Sequence, residues 1–354
     1  MVQPFMVDDY LCIRFIQTHF RRSSCSIGRC RIVCLITIVC NLILDNNFYV
    51  RLWPIPVGLM LFCLIKYPSR FALGYLILFL LTHKRDSRHT GAQVSSWLGK
   101  GAVAESIARF MKPNLHIPKL RSIQKHAESG KKMIFAVHPH SMFGISTLIH
   151  FALNRLVTRE VFGPAIDFRV CTININFWIP ILREYLMARG FVCADRSTFR
   201  KLLDRGISPV IVPGGAEETL YAYPGSGDLV VKKRFGFVRE GIVNQAWLVP
   251  VYCFGDNEAV PVVRSKKIIK VQRIIQKFLT FATPLLVPYF TRVPLHMVIG
   301  EPIEPPSPAV GSIEERTSLY HAKYLEALER LFKQYVSTYG SPAERSGKGI
   351  RFIK

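Results

Sequence analysis

Two histidines separated by a single proline are the first residues in this chain whose type and spacing suggest chemistry. His138, Pro139 and His140 follow a short apolar run at residues 133–137. Proline has no amide proton and disfavours helix at the residue before it, so the chain is predicted to turn where the run ends. Open α/β sheets bind ligands at the carboxyl ends of their strands. Both imidazoles are therefore predicted to lie at such an edge, although two turn histidines without a chemical role remain an equal alternative.

A second candidate lies in the Pro-Gly-Gly-Ala-Glu-Glu stretch at residues 213–218, which also follows an apolar run. The adjacent glycines Gly214 and Gly215 let the backbone approach a ligand closely, and their amides can face a developing oxyanion. A carboxylate directly beyond them, Glu217 or Glu218, can hydrogen-bond an imidazole and raise its basicity. With the histidines, these residues would supply the base and the orienting acid of a catalytic triad.

The third member of a triad, a nucleophile, is missing from the sequence. There is no G-x-S-x-G motif, and PGSGD at residues 224–228 has the wrong spacing. A histidine base without a protein nucleophile suits direct transfer, in which the substrate's own hydroxyl is deprotonated and attacks. The P-loop and G-x-G-x-x-G motifs are also absent, which argues against nucleotide hydrolysis and dinucleotide redox chemistry. Two histidines alone are too few ligands for a metal, so no metal site is predicted.

A basic stretch follows at residues 229–242, where cations alternate with Phe235 and Phe237. The cations are Lys232, Lys233, Arg234 and Arg239. Such a stretch can hold the phosphates of an acyl carrier while the aromatic rings cover its adenine or acyl chain. The alternative is an ordinary solvated basic loop.

The whole chain is both basic and apolar. Its 354 residues include 47 Lys plus Arg against 24 Asp plus Glu, a formal net charge of +23, and 49% are hydrophobic. Nucleic-acid-binding proteins share the charge but seldom the apolar content, whereas a protein lying on anionic lipid needs both. Membrane lipid is therefore the predicted partner and nucleic acid is not. Nine cysteines without a C-x-x-C pair indicate neither a zinc cluster nor a disulfide framework.

Three apolar runs precede the histidines, at residues 32–44, 55–65 and 71–82. Each is shorter than the ~20 residues that span a bilayer as a helix. The last two are predicted to form a hairpin that enters the bilayer and returns, with two separate crossings as the alternative. Basic residues on both sides of the block keep both of its ends on the cytosolic side.

The chain divides by composition into four parts. They are a basic cytosolic segment at 1–30, membrane-embedded segments at 31–83, an α/β domain at 92–340 and a basic tail at 341–354, of which residues 345–354 are predicted to be loose. In the domain, β-rich runs alternate with amphipathic stretches, a pattern typical of α/β proteins. Strands are predicted at 133–137, 168–173, 209–213 and 247–255, and helices at 182–190, 198–206 and 313–340.

Several of these blocks, taken in order, resemble the type-2 diacylglycerol acyltransferase family, which includes monoacylglycerol and wax-alcohol acyltransferases. HPHS at 138–141 resembles the family's HPHG, and PGGAEET at 213–219 fits its PGGAxE with Glu218 on the invariant acid. Three further blocks are similar: RFGFVR at 234–239, LVPVYCFGDNE at 248–258 and VIGEPIEPP at 298–306. Ser141 departs from the family's glycine and adds a side chain to the turn. HIP at 116–118 replaces the family's YFP, which puts any role of that block in question.

The resemblance implies a glycerolipid-acyltransferase-like fold, a mixed α/β sheet flanked by helices with an N-terminal hydrophobic membrane hairpin. It implies an enzyme that moves a fatty acyl group from acyl-CoA to diacylglycerol, forming triacylglycerol, with acyl-CoA as co-substrate and no cofactor. The expected location is the endoplasmic reticulum membrane with the active domain facing the cytosol, and the lipid droplet is a second location. A homo-oligomer is left open.

The mechanism expected from this resemblance is general-base catalysis without a covalent acyl-enzyme. One histidine, oriented by Glu218, takes the proton of the acceptor alcohol while amides near Gly214 and Gly215 hold the oxyanion. His140 is favoured as the base because His138 directly abuts the strand and precedes the rigid proline. The four cations of 229–242 are expected to bind acyl-CoA. The alternatives are a monoacylglycerol or wax-alcohol acceptor and, from another class, a non-catalytic membrane-anchored lipid-binding protein.

Overall fold

In a computed structural model of the chain, the candidate residues lie at one edge of a central β-sheet that helices cover on both faces. The structure describes residues 66–83, 88–91, 111, 113–141, 144–153, 160–179, 182–260, 291–309 and 311–354. The basic segment 1–30 and the predicted apolar runs at 32–44 and 55–65 lie outside the described residues. Of the predicted membrane hairpin, only the part from residue 66 onward is described.

Nine strands form two sheets within the described residues. They are β1 Pro113–His116, β2 Met133–His138, β3 Asp167–Thr172, β4 Val192–Cys193, β5 Ile207–Ile211, β6 Asp228–Val230, β7 Trp247–Phe254, β8 Leu295–Ile299 and β9 Arg351–Ile353. Seven strands form the central sheet in the order β1-β8-β7-β2-β5-β3-β4, and β6 pairs with β9 in a small second sheet. The four predicted strands are confirmed as β2, β3, β5 and β7.

The central sheet is mixed. Strands β7, β2, β5, β3 and β4 run parallel to one another, whereas β7 and β8 are antiparallel and β1 follows the direction of β8. The loops that follow β2, β5, β3 and β7 therefore all emerge at one edge, as expected for an open α/β sheet. The predicted mixed α/β sheet is confirmed.

Ten α-helices accompany the strands in the described residues. They are α1 Pro68–His83, α2 Leu120–Glu128, α3 Ile145–Thr147, α4 Leu182–Ala188, α5 Arg196–Asp204, α6 Gly215–Glu218, α7 Gly236–Asn244, α8 Asp256–Ala259, α9 Ile313–Tyr339 and α10 Pro342–Ser346. The predicted helices at 182–190, 198–206 and 313–340 are confirmed as α4, α5 and α9. The start of α9 carries a capping box, in which the Ser312 side chain and that of Glu315 bond each other's backbone amides.

Apolar residues of the central strand β2 point alternately to the two faces of the sheet, as strand geometry dictates. Met133, Phe135 and Val137 pack with α2 and α4 in one core cluster. Ile134 and Ala136 pack with α5, α7 and α9 in a second cluster on the opposite face. The sheet is thus covered by helices on both faces, which fixes the position of the strand ends where the candidate residues lie.

Helix α1 coincides with the third predicted apolar run, 71–82. It has 16 residues, a length of about 24 Å at 1.5 Å per residue. Among the described residues, no helix combines the length and the apolar character needed to cross a bilayer.

Residues 345–354 were predicted to be loose, and the structure corrects this by showing them folded onto the domain. Strand β9 pairs in parallel with β6, and the Arg351 guanidinium donates to both carboxylate oxygens of Asp228 at 2.8 Å. Glu344 of α10 is buried and accepts the Gly255 amide at 3.0 Å. These backbone and carboxylate contacts, invisible in the composition, order the segment.

Candidate active site

The carboxyl edge of the parallel strands brings the predicted site residues together. His138 is the last residue of β2, Gly214 and Gly215 follow β5, and Asp256 follows β7. The His138–Pro139 peptide is cis, and Ser141 has a φ of 46°. That left-handed backbone is the conformation that glycine adopts most readily, which gives a physical reason for a glycine at this position and a strain of about 1 kcal/mol for serine.

His138 is buried and bonded to the long C-terminal helix. Its Nε2 lies 3.0 Å from the Tyr324 hydroxyl, which lies 3.3 Å from the Ala136 carbonyl oxygen. A hydroxyl has only one proton, so both contacts form together only if Tyr324 donates to Ala136 and the His138 Nε2–H donates to Tyr324. The remaining nitrogen, Nδ1, is then unprotonated, and it is buried without a hydrogen-bond partner. Burial lowers the pKa of His138 to about 3.

His140 is half-buried and has a different partner. Its Nδ1 lies 3.1 Å from the Ser141 carbonyl oxygen. Because a carbonyl only accepts, Nδ1 carries the proton and donates it, which leaves the Nε2 lone pair of His140 as the basic atom. Burial lowers the pKa of His140 below its usual value, an effect that the Ser141 carbonyl partly offsets. The imidazole is therefore neutral at pH 7 and competent to accept a proton.

Glu218 lies beside the histidines, but it contacts backbone and not imidazole. Its Oε1 accepts the His140 amide at 2.6 Å, and its Oε2 accepts the Val230 amide at 2.7 Å. The expectation that Glu218 hydrogen-bonds and orients an imidazole is corrected: the carboxylate orients the histidine-bearing loop. Burial raises the pKa of Glu218 to about 7, against the opposing effect of the two amides and of Arg234.

The two glycines have separate structural roles. A Cβ on Gly214 would overlap with the Glu218 carboxyl group, so only glycine allows that carboxyl group its place. Gly215 has a φ of 58°, and its amide donates to the Val212 carbonyl oxygen at 3.1 Å. That amide is already engaged in a turn, which reduces the predicted oxyanion pair to one candidate donor, Gly214.

The four predicted cations are all exposed, and three of them lie on the turn between β6 and α7. This turn is next to the histidine loop because Val230, at the end of β6, donates its amide to Glu218. Arg234 pairs with Glu217 at 2.8 Å, and Arg239 lies 4.0 Å from Glu314. The exposed cations are Lys232, Lys233, Arg234 and Arg239.

Sequence reasoning missed two residues that hold this edge in place. Tyr324 sits four residues after Tyr320 in α9, so helical spacing puts both rings on one face; that spacing is the only available signal. Asp256 is buried and accepts the Ser146 amide and hydroxyl at 2.9 and 2.8 Å, which ties the start of α3 to the end of β7. Burial raises the pKa of Asp256 to about 6.

The departure at 116–118 places His116 away from the site described above. His116 stacks on His296 and Tyr339, with ring centroids 5.3 and 3.9 Å apart. Its Nε2 lies 3.0 Å from Nδ1 of His296. This block therefore packs β1 against β8 and the end of α9.

Known proteins are similar in sequence to this chain over most of its length. Residues 61–346 match the sequence model of a family described as Diacylglycerol acyltransferase. Diacylglycerol O-acyltransferase 1 of Schizosaccharomyces pombe is 33% identical over 229 residues, which cover 60% of this chain and 65% of that protein. Similarly, 2-acylglycerol O-acyltransferase 1 of Bos taurus is 32% identical over 270 residues, covering 71% and 78%. The alignment thus spans slightly under two thirds of the first relative's length.

A solved structure is also similar. It is the 1-acyl-sn-glycerophosphate acyltransferase PlsC from Thermotoga maritima, with a TM-score of 0.39 and 15% identity over 83% of this chain and 97% of that chain.

Proposed function

The chain belongs to the diacylglycerol acyltransferase family, and from that premise we propose that it transfers a fatty acyl group from acyl-CoA to the free hydroxyl of diacylglycerol. The products are triacylglycerol and CoA. The observation that carries the proposal is the geometry of His140, whose Nδ1–H is held by Ser141 while no described residue forms a hydrogen bond with its Nε2. That imidazole stands beside an exposed turn of cations suited to the phosphates of CoA.

In the proposed reaction, Nε2 of His140 takes the proton of the acceptor hydroxyl as its oxygen attacks the thioester carbonyl. The new C–O bond forms, the carbonyl electrons move onto oxygen, and collapse of the tetrahedral intermediate breaks the C–S bond. CoA leaves as a thiolate, which then takes the proton from the imidazolium. A positioned base of this kind contributes about 10²- to 10⁴-fold to the rate. No covalent acyl-enzyme forms, and acyl-CoA is the only co-substrate needed.

The oxyanion of the intermediate is proposed to lie near Gly214. Its amide is the remaining donor of the glycine pair, since that of Gly215 bonds Val212. Glu218 contributes by fixing the loop: it holds the amides of His140 and Val230 at once. The base and the CoA-binding turn are thereby kept at a constant separation.

The proposed setting is the endoplasmic reticulum membrane, with the α/β domain on the cytosolic side and the lipid droplet as a second location. The apolar residues 31–83 are proposed to anchor the chain as a hairpin. The net charge of +23 supports contact with anionic lipid headgroups. Diacylglycerol would then reach the site from the bilayer and acyl-CoA from the cytosol.

Monoacylglycerol is the second candidate acceptor, because the bovine relative named for 2-acylglycerol matches over 71% of this chain. The two acceptors offer the same nucleophile, an alkyl hydroxyl, and differ only in the number of acyl chains that must be accommodated. The chemistry assigned to His140 serves either.

The test is acyl transfer from radiolabelled oleoyl-CoA in microsomes, with diacylglycerol, monoacylglycerol and hexadecanol offered separately. Labelled triacylglycerol is expected from the intact chain and not from His140→Ala. The matched control is His126→Ala, since His126 is also half-buried and bonds a backbone carbonyl, that of Ser122, but lies on α2. Equal labelling by His140→Ala would exclude His140 as the base. No product with any acceptor would indicate a non-catalytic lipid-binding protein.

A further inference from the structure

Large apolar side chains are exposed on the turn that follows β3. This turn, residues 173–179, is called here the edge turn, and it contains a 3-10 helix, Asn174–Trp178. Trp178 is 69% exposed, the highest value for a large apolar residue in the described part of the chain. The other exposed apolar residues of the turn are Ile173, Ile175 and Ile179. Soluble proteins seldom leave such a cluster open to water, and when they do it marks an interaction surface.

The edge turn emerges beside the candidate base. Strand β3 is parallel to β5, and β5 is parallel to β2, so the turn leaves the sheet at the same edge as His138. Two strand spacings separate the ends of β3 and β2, a distance of about 10 Å. A lipid bound at the edge turn would therefore lie about 10 Å from the histidine loop, a distance comparable to the size of a lipid headgroup.

Helix α1 presents a second set of exposed apolar residues. Leu73, Leu76, Ile77 and Leu80 each expose half or more of their surface. Their spacing of three and four residues places them on one face of the helix. The rest of the helix is also apolar, with no charged residue between Phe71 and Thr82. A helix that is apolar on all sides, and left exposed by the described part of the chain, is typical of a helix surrounded by lipid.

Contacts to arginine connect these two features. The Arg183 guanidinium, on the helix directly after the edge turn, lies 5.5 Å from the centre of the Phe79 ring of α1. The Arg88 guanidinium lies 5.9 Å from the centre of the Trp178 ring. Tryptophan with a neighbouring cation is suited to the level of lipid headgroups, where the ring is part apolar and the cation meets phosphate.

We propose that the edge turn forms a membrane-contacting face on the catalytic domain itself, next to the membrane-embedded α1, and that this face is occupied by a bilayer containing anionic lipid. The inference rests on the proposed function in one respect: a water-insoluble acceptor must leave a bilayer close to the base. Insertion of Trp178 and its isoleucine neighbours holds the carboxyl edge of the sheet against the headgroups. The acceptor then moves from lipid to His140 without crossing water.

The first test locates Trp178 in the bilayer and requires no activity, so it stands even if acyl transfer fails. The full chain, with Trp53, Trp97 and Trp247 replaced by phenylalanine, is reconstituted into phosphatidylcholine–phosphatidylserine vesicles. Lipids brominated near the headgroup or deep in the acyl chain are included in turn. A blue-shifted emission, quenched more strongly by the shallow bromines, is expected for Trp178.

The control probe is an equally exposed apolar position on another surface. Leu319 of α9 is 46% exposed, so Leu319→Trp in a background with all four native tryptophans replaced reports a face outside the proposed contact. Quenching of Trp178 no greater than that of this probe would overturn the proposal. If Trp178 is quenched weakly by the brominated lipids and is also shielded from aqueous iodide, a protein partner covers this face. That result would overturn the proposal as well.

A second measurement uses the native tryptophans and a charge in the edge turn. Ile175→Asp is expected to raise the KM for diacylglycerol delivered in vesicles about tenfold, the scale of losing burial of one large apolar side chain. The KM for acyl-CoA and the rate with dissolved dihexanoylglycerol should not change, which shows that the variant folds. Leu319→Asp is the matched control, expected to change none of these. An unchanged KM for vesicle-borne diacylglycerol in Ile175→Asp would overturn the proposal.

Discussion

Replacing Glu218 by glutamine separates the arrangement in this structure from a conventional acid–base pair. The two carboxylate oxygens of Glu218 each accept one buried amide, from His140 and from Val230. Glutamine offers one oxygen and one NH₂ group, so one of the two amides must lose its acceptor and face a second donor. The variant keeps the size of the side chain and changes only this hydrogen bonding.

The expected loss follows from that single unpaired amide. A buried amide without an acceptor costs about 1–3 kcal/mol. If the cost falls on the active position of the His140 loop, kcat/KM decreases about 5- to 150-fold. The adjacent Glu217→Gln is the matched control, because Glu217 is partly exposed and pairs only with the surface cations Arg234 and Lys354. Pairs of this kind contribute about 0–1 kcal/mol, so the control should lose at most a few-fold.

The assay is kcat/KM for acyl transfer in detergent-solubilised protein, measured from pH 5 to 9. Burial raises the pKa of Glu218 to about 7, and both of its oxygens are full acceptors for the two amides only in the ionised form. The loss in Glu218→Gln should therefore be complete above about pH 8 and become smaller as the pH falls below 7. A carboxylate paired directly with an imidazolium would stay ionised, so a loss as large at pH 5 as at pH 9 would refute the reasoning, as would a plateau within twofold of the native chain.

Three further outcomes are expected. Tyr324→Phe removes the acceptor of the buried His138 Nε2–H, so the chain should lose about 1–3 kcal/mol of stability and also kcat, measured by thermal unfolding and acyl transfer. Gly214→Ala forces a methyl group into the Glu218 carboxyl group, and a cost of about 1–3 kcal/mol with loss of activity is expected in the same assays. Burial raises the pKa of Glu218 to about 7, so the folded state holds its proton where the unfolded state has lost it. The stability contributed by this group is complete below about pH 4.5 and is lost as pH rises through about 7, by up to roughly 3 kcal/mol, so unfolding midpoints of the native chain should fall across this range relative to Glu218→Gln.

Each of these outcomes has a result that would contradict it. Tyr320→Phe is the control for Tyr324→Phe, because the Tyr320 hydroxyl bonds Leu248 and Ile303 in the core. If both variants lose kcat in the same proportion to the stability that they lose, Tyr324 has no role at the site. Native stability and activity in Gly214→Ala would show that the Glu218 carboxyl group has room to move. Parallel stability curves for the native chain and Glu218→Gln would show that Glu218 titrates normally.

The sequence predicted the central strands because apolar runs there are short and end at glycine or proline. Strands β2, β5 and β7 carry that signal, and their parallel arrangement brings His138 and Gly214 to one edge as expected, together with Asp256, which was not predicted. Strands β1 and β8 were not predicted. Polar residues interrupt their short apolar runs, Asn114 in β1 and His296 in β8, so periodicity could not identify these strands or the antiparallel pairing of β8.

The site was predicted at the level of which residues meet, and not at the level of which atoms bond. Spacing brought Glu218 near the histidines, but the choice between an imidazole and a backbone amide depends on side-chain geometry that composition does not encode. Tyr324 is 186 positions from His138 in the sequence, so no local pattern could pair them. The membrane hairpin falls mostly outside the described residues, and it stays a prediction.

The position of strand β9 predicts the effect of inherited or engineered mutations that remove it. The Lys354 carbonyl oxygen accepts the Lys233 amide at 2.8 Å, so the segment around β9 holds the turn that carries the proposed CoA-binding cations. A frameshift or a nonsense codon after residue 346 would leave every histidine and Glu218 intact. It would nevertheless lower the affinity for acyl-CoA, and an epitope inserted next to Lys354 is expected to have the same effect.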